Sequence, residues 1–202
     1  MQQSGTPNAE TVALYGADGS SELTEDGTGY SKVNITTSGV INGNTSLVYS
    51  IKHPLTFIFN TVTPWDWYAS NESFQNNTIW GEGGGKSAYD PCPQGWRIPS
   101  DTTWKDFTTT NFPFYTAGNQ TITKDLFATN GRQYHNFTWY PAAGRRRTTY
   151  SGHLSSIGEN ICSWSANISG MVSKNLCFYF SSSSPIVAEY RSVGMSVRCV
   201  QQ

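Results

Sequence analysis

Charge is what this chain has least of. Asp, Glu, Lys and Arg make up only 13% of its 202 residues, about half the usual share of a globular protein, and the two signs nearly cancel to a formal net charge of -1. Without a basic field nothing is available to neutralise a phosphate backbone, so nucleic acid is not expected as a partner. A long apolar run is also missing: no stretch approaches the roughly 18 residues a membrane-spanning helix needs, so direct membrane insertion is not expected. The first residues, Met1-Gln2-Gln3-Ser4-Gly5, lack the basic-then-apolar pattern of a secretory leader and read as an expression start placed on a mature or excised segment. Histidines are few and scattered. His53, His135 and His153 have no neighbours at metal-ligand spacing, so no metal and no cofactor are expected. No motif joins a base, a nucleophile and an orienting acid; no catalytic residue is assigned and the chain reads as a non-enzyme.

Cysteine is sparse but informative. Cys92, Cys162, Cys177 and Cys199 form an even set without a Cys-x-x-Cys pair, which argues against zinc and against thioredoxin-type chemistry. Two disulfides are the economical reading, and disulfides persist in oxidising compartments, so an extracellular or cell-surface location is expected. What the chain has in quantity is Gly, Ser, Thr, Asn and aromatic residues, the last reaching 14%. That profile suits a loop-rich, β-rich surface protein whose length fits one domain with a short extension.

Residues 1–46 read as an N-terminal extension with short strands such as Val12-Ala13-Leu14-Tyr15 and Tyr30–Ile35, and residues 47–202 as the main domain. Leu47–Ile51 and Thr56–Phe59 are strand-like, with Pro54 breaking between them. From Pro64 to Asp90 the chain is turn-rich yet carries Trp65, Trp67, Tyr68, Phe74 and Trp80, which predicts a long structured loop that packs on its own rings. The best helix signal follows: Ser100 or Asp101 can cap, Pro99 suits the entry, and Trp104 and Phe107 fall three apart on one face. Beyond Asn111 come short β-branched or aromatic segments separated by Gly, Ser, Asn and Pro. One or two helices with many short strands make an α+β domain. Arg145-Arg146-Arg147 is either a seat for an acidic ligand or a solvated turn.

The segment Tyr89-Asp90-Pro91-Cys92-Pro93-Gln94-Gly95-Trp96-Arg97-Ile98-Pro99-Ser100, followed by Trp104, resembles the opening motif of the Fibrobacter succinogenes major paralogous domain. Three later segments resemble the same family: Trp139–Arg145, Ser163-Trp164-Ser165-Ala166 and Gly194–Val200. Upstream, Ser50–Ile58, Asp66-Trp67-Tyr68 and Ile79-Trp80-Gly81 resemble versions found in Bacteroides-type surface proteins. The five motifs stand in order over residues 48 to 202. The resemblance implies a C-type-lectin-like fold: a twisted antiparallel sheet with one or two helices and long irregular loops that carry the ligand surface. It also implies extracellular adhesion, as in fimbrial or pilus-tip proteins and the variable proteins of diversity-generating retroelements. Partners would be a host or bacterial surface protein or glycan, or other pilus subunits. A structural pilus domain without its own ligand is the alternative, and a relative of the formylglycine-generating oxidases a more distant one.

The same resemblance pairs Cys92 with Cys199, leaving Cys162 and Cys177 to bridge across neighbouring strands or to stay as buried thiols. It places Trp96, Trp104, Trp139 and Trp164 in the core, against the alternative of a sugar-stacking platform, and gives Arg97 and Arg198 structural roles. The calcium and sugar triplets of true C-type lectins are absent, so binding is expected to be calcium-independent. Period two on Leu176–Ser181 sends Leu176, Phe178 and Phe180 to the core and Cys177, Tyr179 and Ser181 to the other face. The ligand-binding candidates are therefore Asn167, Tyr179, Ser181, Ser183, Glu189, Tyr190 and Ser192, residue types suited to recognition surfaces. The aromatic loop between Pro64 and Trp80 is the alternative seat.

Overall fold

The computed structural model describes residues 14–15, 18–23, 30–80, 85–119 and 129–202. Near the N-terminus β1 (Leu14–Tyr15) and β2 (Glu22–Leu23) form a short antiparallel ribbon. Next, β3 (Ser31–Asn34) is followed by α1 (Leu47–Lys52) and by β4 (Thr56–Phe59), which lies parallel to β3. Ile35, Val40 and Ile58 close a small core under this unit. Residues 31–46, assigned by the sequence to an extension, thus pack on the start of the segment that follows them.

Helix α1 stands where a strand was expected. A strand would have sent Leu47, Tyr49 and Ile51 to one face, yet Ile51 is 71% exposed. Tyr49 instead stacks on His53, four residues on, with ring centroids 4.2 Å apart, a contact that helical spacing supplies. Pro54, which cannot continue the ladder, follows its end. The helix expected from Asp101 is in turn only a 3-10 turn, Asp101–Trp104. Ser100 makes no side-chain cap, its hydroxyl going to Thr102 at 2.8 Å, and the Thr-rich run around it has low helix propensity. Trp104 and Phe107 are nevertheless both buried.

The remaining strands are β5 (Trp96–Arg97), β6 (Phe114–Tyr115), β7 (Gly131–Tyr134), β8 (Thr138–Pro141), β9 (Arg145–Arg146), β10 (Leu154–Ser155), β11 (Asn160–Ser169), β12 (Val172–Tyr179), β13 (Ser183–Tyr190) and β14 (Val200–Gln201). β11, β12 and β13 form the central antiparallel sheet, β6, β7 and β8 a second one, and β9 pairs with β10. The architecture is α+β, mostly sheet, with one short α-helix among the described residues. Period two holds on β12: Leu176 and Phe178 are fully buried, and Phe180 packs beside them. With Ile161 they meet Trp104, Phe107, Phe112, Phe114 and Tyr140 in the main core.

Arg132 is buried in the middle of that core. Its guanidinium carbon lies 5.2, 5.6 and 5.7 Å from the ring centroids of Phe178, Phe114 and Phe112. It donates to the carbonyl of Phe112 and, at 2.7 Å, to that of Tyr179. Burial pulls its pKa down to about 10. The Arg145-Arg146-Arg147 run is no solvated turn either. Arg145 is buried and pairs with Glu189 at 3.0 Å, while Arg146 lies over Tyr30 and Phe57 and donates to the carbonyl of Gly152. Arg147 lies over the Tyr150 ring.

Two of the four tryptophans expected inside are not there. Trp104 and Trp164 are buried, but Trp96 and Trp139 are exposed at 42% and 38%. On β8, Tyr140 takes the inward position, so Trp139 points outward and lies over Gly131, where a Cβ would come within 2.5 Å of its ring. Trp96 stands opposite Gln201 on the two-residue ladder of β5 and β14, where a strand this short has too few neighbours to bury an indole.

Beside that ladder Cys92 and Cys199 are joined, with Cα atoms 5.7 Å apart. The second bridge is not formed. Cys162 and Cys177 are directly opposite on β11 and β12 and both are buried thiols, their sulfurs 2.7 Å apart. The ladder sets the two positions face to face, so the sulfurs are held in contact without a bond between them. Peptide mapping without reductant is therefore expected to recover Cys92 and Cys199 in one linked fragment, with a thiol reagent labelling Cys162 and Cys177 only after denaturation. Reduction of the bridge, which closes a loop with a sequence separation of 107, is expected to lower stability by about 4 to 5 kcal/mol.

Candidate functional site

The central sheet has a second face, opposite the aromatic core, carrying Cys162, Trp164 and Ala166 on β11 and Ser173, Asn175 and Cys177 on β12. The aromatic loop packs against the part around Trp164. Its entry is set by Asn60, whose side-chain amide donates to the Asp66 carbonyl at 3.0 Å and whose Oδ1 accepts from the Val62 N–H at 2.9 Å. A cis peptide joins Thr63 to Pro64, and Trp65 takes a left-handed backbone, φ 59°, uncommon for a large side chain. Its ring stacks on Tyr190 at 4.8 Å.

Asp66 is the hub of the loop. This buried carboxylate accepts from the Tyr68 and Ala69 N–H groups at 2.7 and 3.3 Å and from Gln75 Nε2 at 2.9 Å. Arg191 Nη1 stands 3.8 Å away. Arg191 Nη2 donates to Asn77 Oδ1 at 2.7 Å and to the Gly170 carbonyl at 2.8 Å, so this one side chain ties the loop to the β11–β12 turn. Burial draws its pKa down, partly countered by Asp66. Farther on, Asn76 Oδ1 accepts from the N–H and hydroxyl of Thr78, both at 2.9 Å.

Between loop and sheet lies a cleft with two adjoining basins of about 310 and 70 Å³. Trp67, Trp80, Trp164 and Arg191 border both. Trp164 is nearly closed off, while Trp67 keeps 36% of its surface in solvent. Asn76 and Asn77 line the smaller basin, and Phe57 and Met195 the larger.

Of the described side chains proposed from sequence, Ser192 alone is among those lining the cleft. Tyr179 and Glu189 flank Arg145 and the thiol pair; burial, then the nearby Cys177, raises the Tyr179 pKa. Asn167 accepts from the Asp101 N–H at 2.6 Å, and Tyr190 stacks on Trp65. Ser192 lines the larger basin but is only 1% exposed, its hydroxyl bonded to Thr148 Oγ1 and the Asn60 carbonyl. Ser181 is exposed. Ser183 lies on β13 opposite Phe178, and its side chain falls outside the described residues. Trp164, read as core, and Arg191, not singled out, both border the cleft. The one sequence signal for it was the density of rings between Pro64 and Trp80.

Among the described residues no group of three His, Cys, Asp or Glu side chains is placed to hold a metal ion. No protein-family profile, no curated protein and no solved structure matches the chain.

Because Asp66 takes three hydrogen bonds in a buried setting, Asp66→Ala is expected to cost about 2 to 3 kcal/mol and to expose the loop between Trp67 and Trp80 to proteolysis. Urea denaturation and limited proteolysis check both; an unchanged midpoint would show that the hub is dispensable.

Proposed function

We propose that the chain is an extracellular ligand-binding module of the C-type-lectin-like kind. It acts in adhesion at a bacterial surface or pilus tip, without calcium, and takes its ligand in the tryptophan-walled cleft. Support for the fold comes from the five family-like motifs in order, from the α+β architecture, and from the disulfide that ties the segment before β5 to the strand β14. The observation that carries the function is the cleft itself. Trp67 stays partly in water although a buried polar hub fixes its loop, and rigid, partly exposed aromatics set beside hydrogen-bonding groups are the usual make-up of a recognition surface. The two thiols that an oxidase would use are each 1% exposed, which favours the non-enzyme reading.

A structural role in assembly has one observation of its own. Ile51 and Leu55, on and just after α1, are 71% and 59% exposed, and a neighbouring subunit could cover them. Concentration-dependent association lost in Ile51→Ser would favour that role.

For the binding role, a ligand found by array screening is expected to bind about tenfold or more weakly to Trp67→Ala with the melting temperature kept. Tyr179→Ala is expected to leave affinity near wild type, and EDTA to leave both affinity and melting temperature unchanged. Loss at Tyr179 with Trp67 indifferent would move the seat to the Arg145 side of the sheet.

A further inference from the structure

Resting on the binding-module reading above, we infer that the cleft takes a short neutral saccharide. Its charged groups come first. Asp66 spends its oxygens on Tyr68, Ala69 and Gln75, and Arg191 spends Nη2 on Asn77 and Gly170 while its Nη1 faces Asp66 at 3.8 Å. The two charges face each other inside the wall, although Arg191 Nε is buried without a hydrogen-bond partner, so an anionic ligand meets Asp66 and a cationic one meets Arg191. Neither gains a free counter-ion, and the field the cleft offers is that of a compensated pair.

Its apolar walls are indoles. Trp67, Trp80 and Trp164 border the cleft, and the electron-rich face of an indole attracts the C–H face of a pyranose ring. At the rim, Asn76 and Asn77 have turned their carbonyl oxygens inward, to Thr78 and Arg191. Their amide nitrogens have no partner among the described residues. Those amides are donors suited to hydroxyl oxygens. Flat apolar walls with neutral donors at the edge match the two surfaces of a sugar ring.

A peptide is served less well. Three main-chain acceptors of the loop wall are already used: the Asp66 carbonyl by Asn60, the Trp67 carbonyl by the Ser46 hydroxyl and the Tyr68 carbonyl by the Ser46 N–H. On the edge strand β11 the N–H groups of Trp164 and Ala166 are taken by the Ser196 and Pro99 carbonyls, so an extended chain does not find them free for a ladder. The larger basin, about 310 Å³, also stands at the lower end of small-molecule sites, which suits a short oligosaccharide.

The test pairs an array of neutral, carboxylated and sulfated oligosaccharides with random peptides displayed on phage, followed by solution titration of whatever binds. Neutral oligosaccharides are expected to bind, to shift tryptophan emission, to show saturation transfer to their ring C–H protons, and to keep their affinity as salt is raised. Trp67→Ala should weaken binding tenfold or more, with Trp67→Phe restoring part of it. Saturation transfer on the unaltered protein serves as the readout should a variant misfold. Binding confined to carboxylated or sulfated glycans, or to peptides, with loss in Trp67→Ala, overturns the neutral-saccharide assignment and leaves the cleft as the seat. Binding of any class that ignores Trp67, or no binding at all, overturns both.

Discussion

One buried cation organises the core. The Arg132 side chain leaves β7 and donates to the carbonyl of Phe112 ahead of β6, and to those of Tyr179, Phe180 and Ser182 at the β12–β13 turn. Those carbonyls come from segments with no strand pairing to one another, and a buried carbonyl without a donor costs about 1 to 3 kcal/mol. A guanidinium, with several N–H groups in a fixed plane, reaches both places at once where an ammonium would not. Burying the charge is itself unfavourable by several kcal/mol, and the faces of Phe112, Phe114 and Phe178 around it offset part of that cost. The aromatic character of the core follows: aliphatic residues would fill the volume but offer the cation no attractive face.

The central sheet divides the work between its two faces. One packs rings against rings, with Phe112 and Phe178 edge to face at 4.7 Å. The other carries Trp164 and Ala166 together with the buried polar side chains of Ser173 and Asn175, and it faces the loop's Trp67 and Trp80 across the cleft. The loop is tied down by Asp66 within it and by Arg191 from outside it, so an indole can stay partly in solvent and still keep its place. That separation between what holds the cleft and what faces outward is what the proposed binding role rests on.

How much of this was legible depended on sequence distance. Period two on β12 could be read directly, since Leu176 and Phe178 state their face within three residues. Trp104 was placed in the core and Phe107 on the same face although the helix around them is only a turn, because burial depends on apolar spacing and helix length on propensity and capping. The stretch Leu47–Ile51 was misread as a strand because β-branched and aromatic residues suit either state over so short a span; the deciding contact, Tyr49 on His53, lies partly beyond it. Arg191 left no local mark at all. Its partners Asn77 and Asp66 are over a hundred residues away, and a lone arginine between Tyr190 and Ser192 looks like any surface cation. Candidate positions on β12, β13 and the segment just after them were judged by residue type, which does not tell that Ser192 is enclosed.

The bond between Cys92 and Cys199 also sets how the molecule carries tension. A pull entering through β14 reaches Cys199 and crosses at once to Cys92, so the stretch spanned by the sequence separation of 107 is bypassed and does not lengthen. The central sheet, Arg132 and the Trp164 wall all lie within this shunted stretch. The aromatic loop does not, and stands in series with the load between Cys92 and the N-terminal strands. A pull between the two ends of the chain would therefore act on one wall of the cleft and spare the other, making the Asp66 and Arg191 contact, which spans the two, the joint at which stress is first felt.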